Sequence, residues 1–217
     1  MTDGARWFDR IAHDLRGPLS PLQTAAWLLK SDAEGLDDER RRELVGIIER
    51  QSRRMARMVD ELGDWSRAQQ GRLLGTRESC ALSTVVDLAV GAIPGCNLDP
   101  WVDAECAALQ VECDQHRLLQ ALKSLLEYAI AHGGAALSVA CGDGLARIDI
   151  VAGDVPVDAE AMRWLLEQPD PAPFDEGLGL RLPLALSIIE AHGGTLSAVQ
   201  DASGRLCLRC TLPASVG

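Results

Sequence analysis

Apolar side chains recur every three or four residues over the first thirty positions of the chain. On a helical projection they fall within one stripe of about 80°. The stripe comprises Trp7, Ile11, Leu15, Pro18, Leu22, Ala25 and Leu29. This pattern predicts one amphipathic helix, and the polar stretch "SDAEGLDDE" that follows predicts a turn.

A second apolar row alternates spacings of four and three, which is typical of a heptad seam. It comprises Leu44, Ile48, Gln51, Met55, Met58, Leu62 and Trp65. Two helices with one seam each predict a helical hairpin over residues 1–70. Because such a hairpin cannot bury both stripes alone, we expect a homodimer that closes a four-helix bundle. Packing of the hairpin on the downstream domain is the alternative.

The pattern changes after residue 75. Alternating or β-rich stretches near 109–113, 135–141, 145–151, 195–200 and 205–212 predict strands, and helical patterns cover 114–132, 158–168 and 180–192. Strands and helices are interleaved, so the fold class is α+β: a helical hairpin followed by an α/β domain over residues 75–217.

Charge is spread unevenly over the 217 residues, whose net charge is -11. Residues 1–70 hold 12 basic and 13 acidic side chains, and the remainder holds 9 and 19. The acidic second part argues against nucleic acid and anionic membranes as partners. No apolar run approaches the roughly 18 residues of a membrane span, and no leader is evident, so we expect a cytoplasmic protein.

Seven cysteines without an export signal favour reduced thiols. Cys207 and Cys210 form a C-x-x-C, but their stretch alternates like a strand, which points side chains three apart to opposite faces. Since no second C-x-x-C or nearby histidine completes a set of ligands, we expect strand cysteines and no metal site, with zinc or redox chemistry as the alternative.

His13 lies about 160° from the centre of the first stripe, so its ring is expected to face solvent. Asp14 beside it can polarise the ring or accept a proton, and Arg16 adds positive charge. Gly17 and Pro18 can loosen the local backbone. An accessible imidazole beside an acid is a competent nucleophile toward phosphorus, whereas an exposed histidine without a role is the plain alternative.

The stretch "AHDLRGPLSPL" resembles the phosphoacceptor box of bacterial sensor histidine kinases, and "LGDWSRAQQGR" resembles the close of the same dimerisation hairpin. Downstream, "DQHRLLQALKSLLEYAIAHG" has the spacing of the helix with the asparagine box, and "EGLGLRLPLALSIIEAHGGTL" resembles the second glycine box. The resemblance covers nearly the whole chain. It implies a dimeric phosphoacceptor hairpin and an ATP-domain-like α/β sandwich.

The match fails at the positions that the family uses for Mg-ATP. The two asparagines of the box fall on Ser124 and Tyr128, and the second of these ordinarily gives an oxygen to magnesium. The acid that recognises adenine in the first glycine box falls on Ala152, with Gly153, Asp154 and Pro156 completing that box. Asp154 as a shifted replacement for the acid is the alternative.

The segment that covers the triphosphate in the kinases is also short. Only Asp175 and Glu176 separate Phe174, which resembles the family's phenylalanine box, from Gly177. Gly177 and Gly179 can either cradle a phosphate with backbone N–H groups or allow close packing at a turn into a helix. We expect the packing role, and no nucleotide cofactor.

By this resemblance, the chain is expected to be a histidine phosphotransferase, most like the small dimeric ChpT-type proteins. His13 would exchange a phosphoryl group with the aspartate of a response-regulator receiver domain, assisted by Asp14 and Arg16, and the receiver would bring the Mg²⁺. Gly17 stands where the family uses Thr or Asn for dephosphorylation, which disfavours phosphatase activity. A divergent kinase that labels His13 with Mg-ATP and a non-catalytic regulator-binding scaffold are the alternatives.

Overall fold

The computed structural model describes residues 2–31, 35–106, 108–134, 136–153, 158–171 and 173–216. Its internal contacts divide the chain into two compact units. The helical unit comprises residues 1–63 and 175–178, and the sheet unit comprises residues 64–174 and 179–217. The short segment 175–178 therefore belongs with the helices, although most of the chain around it belongs with the sheets.

Two long helices form the helical unit, α1 (Thr2–Ser31) and α2 (Asp38–Gln69). The last residues of α2, from residue 64 onward, belong to the sheet unit. The predicted hairpin is confirmed. Members of both predicted stripes are buried in this single chain: Ile11, Pro18, Ala25, Leu44 and Met58. The side chain of Trp7 lies outside the described residues.

Helix α1 continues through its prolines, since Pro18 and Pro21 both lie inside it. Proline has no N–H, so Pro18 cannot bond the carbonyl of Asp14 and Pro21 cannot bond that of Gly17. A residue before proline is normally pushed out of the helical region by its own Cβ, and Gly17 has none. The glycine therefore relieves this clash before Pro18, whereas the helix continues into Pro21 although Ser20 has a Cβ.

A mixed sheet forms the larger layer of the sheet unit. Within the described residues its strand order is β2 (Trp101–Val102), β4 (Ala136–Gly142), β5 (Leu145–Val151), β7 (Leu206–Pro213) and β6 (Thr195–Gln200). Strands β2 and β4 are parallel, and the other neighbours are antiparallel. A second, smaller antiparallel sheet has the order β1 (Glu78–Ala81), β3 (Leu109–Cys113) and β8 (Ser215–Val216).

The helices of the sheet unit after α2 are α3 (Leu82–Gly91), α4 (Gln115–Ala131), α5 (Ala159–Glu167) and α6 (Arg181–Ala191), with a short 3₁₀ helix at Ala104–Cys106. Helix α4 packs against α3 and α6. The α+β class and the strands and helices predicted after residue 109 are confirmed. Strands β1, β2 and β8 and helix α3 were not predicted, because these strands have four residues or fewer and α3 is rich in β-branched residues.

The core of the sheet unit lies between its helices and the strands. Its largest fully buried side chains are Leu82, Leu118, Leu122, Leu125, Leu126, Ile148, Ile150, Leu180, Ile188, Ile189 and Leu206. Among the described residues, no helix combines the length and the apolar character that a membrane crossing requires.

Candidate functional site

His13 lies on the outward face of α1, and its side chain is 86% exposed. Its ring atom Nδ1 lies 3.3 Å from Oδ1 of Asp14. When Nδ1 carries the hydrogen and donates it to this carboxylate, Nε2 is left with a lone pair. The structure thus places an accessible ring nitrogen on the helix surface, as the position of His13 relative to the stripe predicted.

Asp14 is held from both sides along the helix. Its Oδ2 lies 3.5 Å from Nε of Arg10, one turn earlier, while Oδ1 faces His13. Asp14 is half-buried, with 29% of its side chain exposed, whereas Arg16 is exposed. The structure therefore brings the first two predicted residues, His13 and Asp14, into contact, and Arg16 follows three residues after His13 on the same helix.

In the sheet unit, α4 carries the two positions of the asparagine box. Asp114 caps the helix, because its Oδ1 accepts the N–H of Arg117 at 3.1 Å. Ser124 bonds back to the carbonyl of Gln120 at 3.0 Å, so its hydroxyl serves the helix itself.

Tyr128 is only 5% exposed and takes part in a ring cluster. Its ring stacks on His132 with 4.0 Å between centroids, and Phe174 meets both rings edge-on. Burial, with a contribution from the negative charge of Asp170, raises the pKa of Tyr128, so the phenol stays neutral. Arg181 lies over the Phe174 ring, 5.7 Å from its centroid.

Ala152 is 1% exposed and follows β5, where its N–H donates to the carbonyl of Leu206 at 2.8 Å. A methyl group cannot accept a hydrogen bond, so this position offers nothing to an amino group of a base. Gly153 donates to the carbonyl of His132 at 3.1 Å, and a Cβ on Gly153 would meet that oxygen at 2.5 Å. Asp154 and Pro156, the other predicted positions of this box, lie outside the described residues.

Gly179 is required by close packing. Its φ is +74°, and a Cβ there would lie 2.2 Å from the carbonyl oxygen of Asp170. Its own carbonyl accepts the N–H of Asp170 at 3.0 Å. Only glycine allows two backbone segments to approach this closely in a left-handed conformation.

Gly177 and Leu178 have their N–H groups directed at carboxylates of the helical unit. Leu178 donates to Oε2 of Glu61 at 2.9 Å, and Gly177 donates to Oδ1 of Asp175 at 3.1 Å. Glu61, on α2, is only 9% exposed. A Cβ on Gly177 would lie 2.7 Å from Oε1 of Glu61, so the carboxylate fills the space beside this glycine.

Arg54, two turns earlier on α2, holds the same segment. Its Nε donates to the carbonyl of Glu176 at 2.9 Å, and its Nη1 lies 3.2 Å from the Glu176 carboxylate. Segment 175–178 is therefore fixed to α2 at a main-chain carbonyl and at a main-chain N–H. Sequence reasoning missed both Arg54 and Glu61, because their partners lie more than a hundred residues further along the chain.

A buried ionic cluster in the sheet unit was also missed. Asp64 is 6% exposed and accepts hydrogen bonds from Arg67 at 2.5 Å, Arg117 at 2.8 Å and Gln120 at 2.7 Å. Burial raises the pKa of Asp64, but these hydrogen bonds outweigh it and lower the pKa below its usual value. The cluster joins the end of α2 to α4.

His192 is a buried histidine that the prediction did not single out. It is 5% exposed, its Nδ1 lies 2.7 Å from the carbonyl of Ile188, and its Nε2 accepts the N–H of Asp114 at 3.0 Å. Burial is the main cause that lowers its pKa, and Arg77 adds to this effect; the hydrogen bond to the Ile188 carbonyl and the charge of Asp114 oppose it. A neutral His192 thus satisfies the N–H that precedes α4.

Both cysteines of the C-x-x-C lie buried on β7. Burial raises the pKa of Cys207 to about 11 and that of Cys210 to about 12. Metal binding and redox exchange both use the thiolate form, and these thiols are protonated near neutral pH.

The chemistry available differs between the two units. The helical unit offers an accessible imidazole that a carboxylate orients. In the sheet unit, a buried phenol, Tyr128, stands where the resemblance expects an oxygen ligand of Mg²⁺, and a methyl group, Ala152, stands where it expects the acid that accepts the adenine amino group. Mg²⁺ prefers compact oxygen ligands in octahedral geometry, and a phenol is a poor ligand of this kind.

Comparison with known proteins agrees with the hairpin and the sheet unit. Residues 5–71 match the family model described as "His Kinase A (phospho-acceptor) domain". Sensor histidine kinase GlrK of Escherichia coli K12 is 24% identical over 94% of this chain and 45% of its own length. Sensor histidine kinase TrcS of Mycobacterium tuberculosis is 29% identical over 93% of this chain and 42% of its own. The chain thus spans less than half of the length of these relatives.

Solved structures share the fold. Histidine kinase AdeS of Acinetobacter baumannii superimposes with a TM-score of 0.67 at 21% identity, over 93% of this chain and 97% of that one. Histidine kinase ThkA, solved in complex with response regulator protein TrrA, gives a TM-score of 0.71 at 20% identity, over 96% of this chain and 61% of that one.

Proposed function

We propose that this chain is a member of the bacterial histidine kinase superfamily and that it works in two-component signalling as a histidine phosphotransferase. In this role His13 accepts a phosphoryl group from the aspartyl phosphate of a receiver domain and passes it to another receiver. One contrast carries the proposal: the phosphoacceptor ring is 86% exposed, while a buried tyrosine and a buried alanine stand at the nucleotide positions.

The transfer needs little from this chain beyond a positioned nucleophile. Nε2 of His13 attacks the phosphorus in line, a nitrogen–phosphorus bond forms, and the bond between phosphorus and the aspartyl oxygen breaks to release the carboxylate. The hydrogen stays on Nδ1, which donates it to the Asp14 carboxylate, and the negative charge of Asp14 stabilises the positive charge that develops on the ring. Arg16 offsets charge on the phosphoryl oxygens.

The partner completes the site. A receiver domain docks on the helical unit and brings its own acidic pocket with Mg²⁺, which neutralises charge on the phosphoryl group when it is bound. The relationship to ThkA, which was solved with a response regulator, supports a partner of this class. A homodimer formed through the hairpin is part of the proposal, and the match to the phospho-acceptor domain family supports it.

The decisive experiment mixes the full chain with a panel of receiver domains carrying labelled aspartyl phosphate. We expect label to move to the wild-type chain and to be lost from a His13→Gln variant. A His116→Gln variant, which removes an exposed histidine of α4, is the matched control and should accept label normally. Absence of transfer from every receiver would contradict the proposal.

A divergent autokinase is the second candidate. The curated relatives that align over 93–94% of this chain are sensor histidine kinases, and this favours ATP as the phosphate source. Incubation of the chain with ATP labelled at the γ-phosphate and Mg²⁺ separates the two functions. Label on His13 without any receiver would establish the kinase.

A further inference from the structure

The N–H groups of segment 175–178 are engaged by side chains of the protein itself. Leu178 donates to the carboxylate of Glu61, a residue that is 9% exposed, and this carboxylate also fills the space beside Gly177. Gly177 donates to Asp175. Two carboxylates therefore stand where the backbone donors of a glycine segment would otherwise face an anion.

Two residues of α2 hold segment 175–178, at different points of its backbone. The Glu61 contact joins residues 117 positions apart, and Arg54 fixes the neighbouring Glu176 through both its main-chain carbonyl and its carboxylate. The glutamate thus approaches a segment that a second residue of α2 already holds. Backbone N–H groups beside a glycine bind phosphate oxygens and carboxylate oxygens by the same charge-assisted hydrogen bond.

We propose that Glu61 is an internal anion that occupies the N–H donors of segment 175–178 and excludes phosphate groups from them. A phosphate that approached this segment would have to displace the Glu61 carboxylate and would be repelled by Asp175 and Glu176. The inference rests on the proposed function and deepens it, because it gives a physical reason why the chain would not draw its phosphoryl group from a nucleotide.

Removal of the carboxylate should open the segment. Glu61→Ala leaves the Leu178 N–H without its acceptor, whereas Glu61→Gln keeps an oxygen acceptor of the same length and loses only the charge. Asp60→Asn is the matched control, because Asp60 is the exposed neighbour of Glu61 on α2. A charged hydrogen-bond acceptor is worth enough to change the affinity for a competing anion about tenfold or more.

The test follows the amide signals of Gly177 and Leu178 by NMR in the full chain, labelled with ¹⁵N-glycine and ¹⁵N-leucine, while inorganic pyrophosphate is added. We expect no saturable shift in the wild-type chain or in Asp60→Asn. Glu61→Ala should show a saturable shift of these two amides, with an affinity at least about tenfold above the upper limit that the wild-type titration sets, and Glu61→Gln should show a smaller gain.

Two results would overturn the inference: saturable binding by the wild-type chain at these amides, or no gain in Glu61→Ala. If Glu61→Ala lacks the dispersed spectrum of a folded protein, Glu61→Gln decides, and no gain there is equally contrary. The test measures only the binding of pyrophosphate at the amides of Gly177 and Leu178. A negative result would therefore refute this inference and leave phosphotransfer from receivers to His13 untouched.

Discussion

At the scale of single residues, the contact between His13 and Asp14 joins adjacent positions of one helix, so it can be anticipated from the sequence. Nδ1 is the ring nitrogen nearer the backbone, so a short acid in the next position of the helix can reach it and leave Nε2 exposed. The 3.3 Å approach of Asp14 to Nδ1 and the 86% exposure of the ring follow this geometry. Asp14 is therefore a positioning residue for the proposed transfer.

Replacement of Asp14 by Asn should slow phosphotransfer. The amide removes the negative charge that stabilises the charged ring, and a hydrogen bond to a charged group corresponds to roughly 10- to 100-fold in rate. Rapid-quench transfer from a labelled receiver measures the effect. Asp9→Asn, an exposed acid on the same helix, is the control. Equal rates for the two variants would show that Asp14 does not position the ring.

His192 should make folding of the sheet unit sensitive to acid. Its folded-state pKa is lowered mainly by burial, so the unfolded chain binds the proton more readily. Its contribution to stability is complete above the unfolded pKa near 6.5 and is lost as the pH falls below that value. The slope can approach about 1.4 kcal/mol per pH unit.

Urea unfolding at several pH values between about 7.5 and 5 measures this slope. His192→Gln keeps an acceptor for the Asp114 N–H and should flatten the slope, whereas the exposed His116→Gln should leave it unchanged. Parallel slopes for the wild-type chain and His192→Gln would assign the acid sensitivity to other groups.

At the scale of elements, the beginnings and ends of helices and the close approaches of the backbone explain where the chain turns. Asp114 and Asp158 cap α4 and α5 through the N–H groups of Arg117 and Ala161. Gly179 precedes α6 at a point where the backbone approaches that of Asp170. The two caps require a side-chain acceptor, and the close approach requires a residue without a Cβ.

A Cβ at Gly179 should be costly. Alanine there combines a left-handed conformation with contact on a main-chain oxygen, so we expect a loss of at least about 2 kcal/mol in the free energy of unfolding. Gly91→Ala, at the end of α3 with open space around it, should change stability by at most about 1 kcal/mol, and favourably. Denaturant unfolding of both variants makes the comparison; a neutral Gly179→Ala would contradict the packing role.

At the scale of the whole molecule, the helical unit leaves large apolar side chains exposed. Trp27 is 63% exposed, Val45 43% and Val59 58%. Burying an aliphatic side chain contributes about 1.5–3 kcal/mol, so a second copy of the hairpin that covers these side chains would be stabilised considerably. None of the three belongs to either predicted stripe, so they are apolar surface in addition to the two seams.

Val59→Asp should therefore weaken the dimer by about tenfold or more. Light scattering after size exclusion, repeated over a dilution series, reports the change as a shift toward monomer. Leu88→Asp, an exposed leucine of α3 in the sheet unit, is the control and should not alter the oligomeric state. A dimer that withstands Val59→Asp as well as the control does would place the interface elsewhere.

The sequence by itself determined the elements and the chemistry of single positions. Periodicity gave the two long helices and most strands after residue 109, because side-chain spacing follows directly from backbone geometry. The exposure of His13, the phenol at Tyr128 and the methyl group at Ala152 needed only residue identity and phase. Strands β1, β2 and β8 escaped prediction, because so few residues cannot establish a period.

Only the tertiary structure decided which distant residues meet. Glu61 reached Leu178 and Asp64 reached Arg117, and nothing in the local pattern of α2 distinguishes these two acids from their exposed neighbour Asp60. The stacking of Tyr128 on His132 beside Phe174 arose in the same way. Hydrogen bonds and ring contacts between distant segments depend on how the tertiary fold packs these segments together. The spacing of apolar residues, in contrast, is a property of each segment alone.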